Sequence, residues 1–599
     1  MKWYFQPPSD GDGGERDDDN ASAPGLLGLP PALLERHGAR VLDPGRAEQV
    51  GGYPRPQPTV YRAMTLLVPD DLLRDTGFIE DVNKVLRLVG MQLVPPGDER
   101  DPDLDSDRAD QQVLQALREL PRPANLIPVA GYRRPVDIDA WTALQTLRAA
   151  TVPENPVPEN PVPEDEASAA PERVMLDKAQ VDRIQLEHLL IASALITGSP
   201  AESGGGGGIS GGPGTGGGVP GITDSYLFGG ESRTPVTVFI EPPPRGGDDE
   251  CETRYGRRPV VAVLDTGVRQ HPWLGVTADG AGGYDFTSDS FVAIDTRIQD
   301  DIAKESTRAA AQGGSPRQVI ADAWDKPVAD NPLIGELNDA LGHGTFIAGI
   351  FRQVVPEATV LAVRVMCSDD ILYEGDIICA LRHLAKRIAL AASDDPAAQV
   401  DVLSLSFGYF SESPPATMMT SGLWKAIEVL ISLGVIVVAA AGNYASSRRF
   451  YPAAFARQPV SEGVPVMSVG ALNPNGTKAM FSNDGHWVVA WAPGAHVVST
   501  YPTDVDGSRT PELRIPVNRE PAGHWPPGRE ALDPDDYSAG FAVWSGTSFS
   551  APRAAALVAR SLLEGAERSG AGLKLDAPGI GDRRMRAVTA YDNLPRSIE

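Results

Sequence analysis

VAVLDTGV, residues 261–268, is the stretch whose reading decides the fold. Val261, Ala262, Val263 and Leu264 form a continuous apolar run that reads as a buried parallel strand, so the Asp265 carboxylate should emerge at its C-terminal end. Farther along, GHGTFIAGI ends at Ile350 and SGTSFSAP ends at Pro552. His343 and Ser548 in these segments are flanked by Gly or Thr and lead into apolar helical runs, which puts both at helix N-termini. An Asp, a His and a Ser so placed suit attack on a carbonyl: Ser548 as nucleophile, His343 as base, Asp265 holding the imidazole in the right tautomer.

Strands and helices alternate around these segments. VVPEATVLAVRVM (Val354–Met366), DVLSLSF (Asp401–Phe407) and GVIVVAAAG (Gly434–Gly442) read as strands, GDIICALRHLAKRIALAA (Gly375–Ala392) and GLWKAIEVLISLG (Gly422–Gly434) as helices. The alternation predicts an α/β fold, a mostly parallel sheet with helices on both faces.

With their chain order of Asp, His, Ser, these segments resemble the subtilisin-like serine proteases. DVLSLSFG (401–408) resembles that family's substrate-binding strand, and VVAAAGN (437–443) the strand and loop ending in its oxyanion-hole Asn. VMSVGALNPNGTKAMFSN (466–483) and VVAWAPGAHVVST (488–500) resemble the strands and turns between that Asn and the nucleophile. The resemblance implies a serine endopeptidase acting on protein or peptide substrates, with Asp265, His343 and Ser548 catalytic. It assigns the oxyanion donors to the Asn443 amide and the Ser548 backbone N–H. Substrate would lie extended beside Ser404, Leu405, Ser406, Phe407 and Gly408. Ala439, Ala440, Ala441 and Gly442 would leave room for a large apolar side chain before the cut. Phe407 and Tyr409 are bulkier than the Leu and Gly common in that strand, and Phe346 replaces the His often found after GHGT, so subsite preferences stay open. No cofactor is required; a structural calcium is compatible with the resemblance, but its ligands are not readable. Two other functions stay open: a protease limited to one cut in its own chain or a dedicated partner, and a scaffold built on an inactive protease fold.

At 599 residues the chain predicts two folded domains plus linkers. A net charge of -27 and a pI near 4.7 argue against a nucleic-acid or anionic-membrane surface, which needs clustered Lys and Arg. Cys251, Cys367 and Cys379 are an odd set and do not form a disulfide framework. The opening MKWYFQPPSDGDGGERDDD lacks the apolar core of a secretory signal, and no apolar stretch is long enough to span a bilayer. The expected location is cytoplasmic, a departure from the commoner exported members of the resembled family; export by a route the sequence does not announce stays open.

Residues 1–59 are rich in Asp, Gly and Pro and read as disordered. A small α/β domain is expected over 60–200: a strand at Tyr61–Pro69, a helix at Asp71–Gly90 and a strand at Met91–Pro95 read as a β-α-β unit, extended by Ala124–Tyr132 and a helix at Asp137–Ala150. Its resemblance to a propeptide implies an intramolecular inhibitor; a recruitment module is the alternative. The Pro-rich repeat VPENPVPENPVPEDE (152–166) cannot pack a core, and VDRIQLEHLLIASALI (181–196) reads as a helix with His188 at its surface or boundary. Residues 201–250 read as a glycine-rich linker and lead-in, with a strand candidate at Thr234–Pro244, before the peptidase-like domain over 251–599. Within the lead-in, residues 208–212 fit the G-x-S-x-G pattern without the strand and helix that it needs, so linker is the reading. Cys379 and His383 share a helix face, but with no second pair nearby they read as helix packing. Apparent insertions at 288–340 and 503–541 precede His343 and Ser548 and are candidates for substrate or partner selection.

Overall fold

The six residues Val260–Asp265 are all buried, as a strand covered on both faces requires. The computed structural model of the chain describes residues 3–5, 29, 31–97, 101–105, 110–132, 137–151, 174–192, 233–281, 283–313, 320, 322–326, 329–331, 336–366, 369–391, 398–507, 514–515, 529–530, 533–570, 572–573, 580–594 and 597–598. The repeat at 152–166, the G-x-S-x-G string and Cys367 lie outside these residues.

An N-terminal unit comprises β1 (Thr59–Pro69), α1 (Thr76–Leu86), β2 (Met91–Val94), α2 (Gln111–Arg118), β3 (Pro121–Pro128), α3 (Ala140–Ala149) and β4 (Gln185–Ala192). Its strands run antiparallel in the order β4-β1-β3-β2. Phe78, Val82 and Leu86 of α1 and Trp141, Leu144 and Leu147 of α3 close a core of their own against Leu66, Val68 and Leu126 of the strands.

Several expectations are corrected here. β1, α1 and β2 form the expected β-α-β unit, but as a split one, with β3 between its two parallel strands. The single helix expected at 71–90 is broken at Asp75, whose backbone is extended and whose side chain accepts from Phe78 N at 3.0 Å to start α1 afresh. Among the described residues of the helix expected at 181–196 only Val181 is helical, as the last residue of the turn Lys178–Val181; Gln185–Ala192 is a strand. A short continuous apolar run reads either way, and pairing to β1 decides it. Residues 31–58, expected to be disordered, contain a helix at Pro31–Arg36 and a strand at Ala39–Leu42 that pairs with β1. Of the strand candidate at Thr234–Pro244 only Thr234 and Pro235 belong to a strand, Arg233–Pro235, which pairs with Ala542, Val543 and Trp544.

The larger unit contains β5 (Val260–Asp265), α4 (Thr296–Ala311), α5 (His343–Val354), β6 (Thr359–Arg364), β7 (Ile371–Tyr373), α6 (Glu374–Leu390), β8 (Val402–Leu405), β9 (Phe407–Gly408), α7 (Gly422–Ser432), β10 (Ile436–Ala440), β11 (Met467–Leu472), β12 (Ala490–Pro493) and α8 (Thr547–Ser569). Its nine-stranded sheet runs Val292–Ile294, β6, β5, β8, β10, β11, β12, Trp3–Phe5, Ser597–Ile598. Pairing is parallel as far as β12 and antiparallel at the last two strands. Arg257 pairs both guanidinium nitrogens with the Asp401 carboxylate at 2.6 Å, and Asp401 also accepts from Val260 N, which aligns β5 with β8. Burial opposes the Asp401 charge, but Arg257 prevails and holds the carboxyl near about 2.

The two units share a core. Leu114 and Leu117 of α2 join one apolar cluster with Ile377, Ile378 and Leu381 of α6. The first insertion is structured at α4, where Arg122 donates to Glu305 at 2.8 Å and Asn125 to Gln312 at 2.9 Å. Among the described residues no helix is long and apolar enough to cross a membrane.

Candidate active site

β5 ends at Asp265 and α5 begins at His343. The two turns approach so closely that a Cβ on Gly344 would strike the Gly267 carbonyl, and Gly267 itself has a φ of 91°. His343 Nδ1 lies 2.7 Å from Asp265 Oδ1, which makes Nδ1 the donor and turns Nε2 into the basic nitrogen. Thr266 N donates to the same Oδ1 at 2.8 Å. Asp325 braces the junction: its Oδ2 accepts from Gly342 N at 2.7 Å and Thr266 Oγ1 at 3.1 Å, while Thr266 Oγ1 accepts from Gly344 N at 3.0 Å. Burial pushes the Asp325 carboxyl up to about 6, against the opposing pull of Gly342 N–H, Arg364, Arg269 and Thr266. No local pattern marks Asp325 in the sequence; it sits in the first insertion.

Ser548 is the second residue of α8, which contains Pro552. Proline has no N–H to give to the carbonyl four residues back, so Ser548 O is left without its helical bond. Ser406 Oγ fills the gap, donating to Ser548 O at 3.2 Å, and Ser548 Oγ donates to Ser406 O at 3.2 Å. His343 Nε2 is buried without a hydrogen-bond partner, so the Ser548 hydroxyl and the His343 imidazole are not bonded to each other in this state. Trp544 and Phe549 pack on the imidazole with ring centroids at 5.5 and 5.4 Å. Asp265, His343, Asn443 and Ser548 are each no more than 1% exposed, so solvent does not reach the site.

Asn443 follows β10. Its Oδ1 accepts from Thr547 N at 2.9 Å and Thr547 Oγ1 at 2.8 Å, and Thr547 Oγ1 accepts from Gly442 N at 3.0 Å. This orients the amide and offers Nδ2 as its donor. Asn483 holds the same loop, accepting from Tyr444 N and Ser446 N, both at 3.1 Å, and donating to Ala441 O at 2.7 Å. Neither Thr547 nor Asn483 was readable as a brace, because both act through partners distant in sequence.

The expected substrate strand needs correction. Ser404 and Leu405 pair on both sides, with β5 and β10, and have no free edge. Ala439 sits inside the sheet between β8 and β11, and Ala440 pairs with Val469 of β11. Ser406, Phe407 and Gly408 diverge from the sheet, and β9 pairs instead with β4, Phe407 opposite Ala192 and Gly408 opposite Ile191. Ala441 and Gly442 are buried at the end of β10.

β7 flanks β4 from the other side, with Ile371 opposite Ile191 and Tyr373 opposite Leu189. Ala192 N donates to Asp370 O at 2.9 Å. Burial, then Asp339 and Asp369, push the Asp370 carboxyl well above the usual range. His188, expected at a surface or boundary, is buried: Nδ1 lies 2.6 Å from Glu374 Oε2, Nε2 lies 2.6 Å from Glu412 Oε2, and the ring stacks on Tyr409 at 4.4 Å. Burial alone would lower its pKa, but Glu412 and Glu374 raise it to about 10. Cys379 is a free thiol and His383 pairs with Asp301 at 2.6 Å. Among the described residues no group of three or more His, Cys, Asp or Glu could hold a metal ion.

A sequence model of the subtilase family matches residues 256–569. Subtilisin BL of Lederbergia lenta is 35% identical over 173 residues, which are 27% of this chain and 55% of that protein. Thermitase of Thermoactinomyces vulgaris is 34% identical over 199 residues, 32% of this chain and 61% of that protein. An extracellular protease of Xanthomonas campestris pv. campestris is 28% identical over 324 residues, 51% of this chain and 44% of that protein. The chain thus spans less than two thirds of the length of each of these relatives.

Proposed function

The chain belongs to the subtilase family, and we propose that it is a serine endopeptidase kept in check by its own N-terminal unit. Ser548 attacks the peptide carbonyl as His343 takes its proton through Nε2, and Asp265 stabilises the imidazolium that forms. Asn443 Nδ2 and the Ser548 backbone N–H meet the charge that develops on the carbonyl oxygen. The 2.7 Å bond from His343 Nδ1 to Asp265 is the observation that carries this reading. In the described state Ser548 Oγ must leave Ser406 O for His343 Nε2, a rearrangement of the kind expected before substrate aligns the site.

The inhibitory role of the N-terminal unit is supported by β4 lying between β7 and β9, the place an extended substrate would take. A chain continuing the β4–β9 register beyond Ala192 would next meet Ser406, the residue bonded to Ser548. Self-cleavage is therefore expected within a few residues of Ala192, ahead of the linker at 201–250. Such a cut is also what the narrower reading expects, a protease limited to one cut in its own chain or a dedicated partner. Incubation of the purified chain, followed by N-terminal sequencing, tests both. Wild-type protein should yield a new N-terminus just past Ala192 while Ser548→Ala stays whole. An equally cut Ser548→Ala chain would overturn the assignment of the nucleophile.

A further inference from the structure

We propose that Glu374, Glu412 and the ring of Tyr409 form an acidic subsite of the catalytic unit that takes a basic side chain of an extended substrate, with His188 as the chain's own occupant. This rests on the endopeptidase reading and extends it to substrate class.

The placement follows from the walls of the cleft. Glu374 directly follows β7 and Tyr409 directly follows β9, the strands that pair with β4 on its two sides. Any strand lying in this register brings the residue that precedes the β7 contact at Leu189 up to these groups. All three belong to the catalytic unit, so they remain when β4 is replaced. Their chemistry is selective. Both ring nitrogens of His188 lie 2.6 Å from carboxylate oxygens, and a neutral imidazole can donate from only one nitrogen, so the occupant is a cation. Glu374 is further fixed by Tyr409 Oη, which donates to Oε1 at 3.3 Å, and Glu412 by Ser413 Oγ, which donates to Oε1 at 3.2 Å. The backbone N–H of His188 also donates to Glu374 Oε2, at 3.3 Å, a bond that any residue but proline supplies there. The Tyr409 face, 4.4 Å from the imidazole centroid, suits a cation further. A neutral occupant would leave two buried carboxylates facing each other, and an acidic one would add a third. Arginine, whose fork matches two carboxylates, and lysine satisfy the same site.

The test varies the occupant and leaves the enzyme intact. Quenched peptides copying residues 183–201, with Arg, Lys, His, Gln or Glu at position 188, are offered to the wild-type protein. Two lost charge-assisted bonds predict kcat/KM about 10- to 100-fold higher for Arg and Lys than for Gln, and lower still for Glu. The ratio should fall toward one in Glu374→Gln and Glu412→Gln. In the full chain, His188→Lys should preserve self-cleavage and His188→Glu should impair it. Equal cleavage of all peptides would overturn the subsite. Cleavage of none, with Ser548 still labelled by a fluorophosphonate and self-cleavage indifferent to position 188, would overturn it and leave the hydrolase standing. Loss of both labelling and self-cleavage would remove the protease reading beneath it.

Discussion

Replacing Asn443 by Ala removes both jobs of its amide, and comparison with Thr547→Val separates them. Nδ2 is the proposed donor to the oxyanion, and Oδ1 holds Thr547 N and Thr547 Oγ1 at 2.9 and 2.8 Å. Loss of a single oxyanion donor costs about 10²–10³ in kcat, or about 2.7–4 kcal/mol. Loss of one neutral bond in the anchor costs about 0.5–1.5 kcal/mol, roughly tenfold at most. Thr547→Val breaks the anchor through the hydroxyl, together with the bond that hydroxyl accepts from Gly442 N, but leaves the donor, so it sets an upper bound on the second term. Asn443→Ala should therefore fall at least tenfold below Thr547→Val in kcat, with KM nearly unchanged, because the donor acts on charge absent from the ground state. Steady-state rates on a quenched peptide, normalised by fluorophosphonate titration of Ser548, provide the assay. Equal losses in the two variants, or a loss confined to KM, would refute the donor role.

Two pH effects follow. Asp325 carries a folded pKa of about 6 against an ordinary 3.8, so the folded state holds its proton longer and stability falls as pH rises from 3.8 through 6. Asn keeps an acceptor for Gly342 N and Thr266 Oγ1 without the charge. Asp325→Asn in a Ser548→Ala background should unfold about 1–3 kcal/mol later than its parent at pH 7.5 and show no gain at pH 4 in thermal melts; a gain independent of pH would contradict the burial argument. His188, raised from 6.5 to about 10 by Glu412 and Glu374 despite burial, holds β4 in the cleft most strongly below pH 6.5 and loses that contribution as pH rises toward 10. Glu412, lowered from 4.5 to about 2 against burial by His188, sets the opposite limit: its share is present above pH 4.5 and lost as pH falls toward 2. Tyr409, also facing the ring, has its pKa raised well above 10 by burial and then Glu374 and Glu412, so it stays neutral across this window. Hydrogen-exchange protection of residues 185–192 in Ser548→Ala, corrected for intrinsic rates, should drop by up to about tenfold per pH unit between 7 and 9. Protection that does not change with pH would refute the link.

Sequence alone determined the parallel α/β sheet and the placement of Asp265 at a strand end and of His343 and Ser548 at helix starts, because those depend on local signals, a buried apolar strand, glycines at close turns and helix starts, whereas Asn443 was implied by the family resemblance. The peptidase-like core therefore could be read segment by segment. What only tertiary structure decided depends on partners far along the chain. Gln185–Ala192 has an apolar run with no strict period, and it became a strand because β1 and β7 offered unpaired edges. Ser404 and Leu405 were lost from the cleft for the converse reason, since β5 and β10 had already taken both of their edges. His188 turned from a boundary residue into a buried cation once Glu374 and Glu412 were brought to it from positions 186 and 224 residues away. Asp325 has no neighbouring pattern at all. Its role exists only where the folded chain brings Thr266 and Gly342 together, because there it accepts from Thr266 Oγ1 and from Gly342 N, which burial would otherwise leave unpaired.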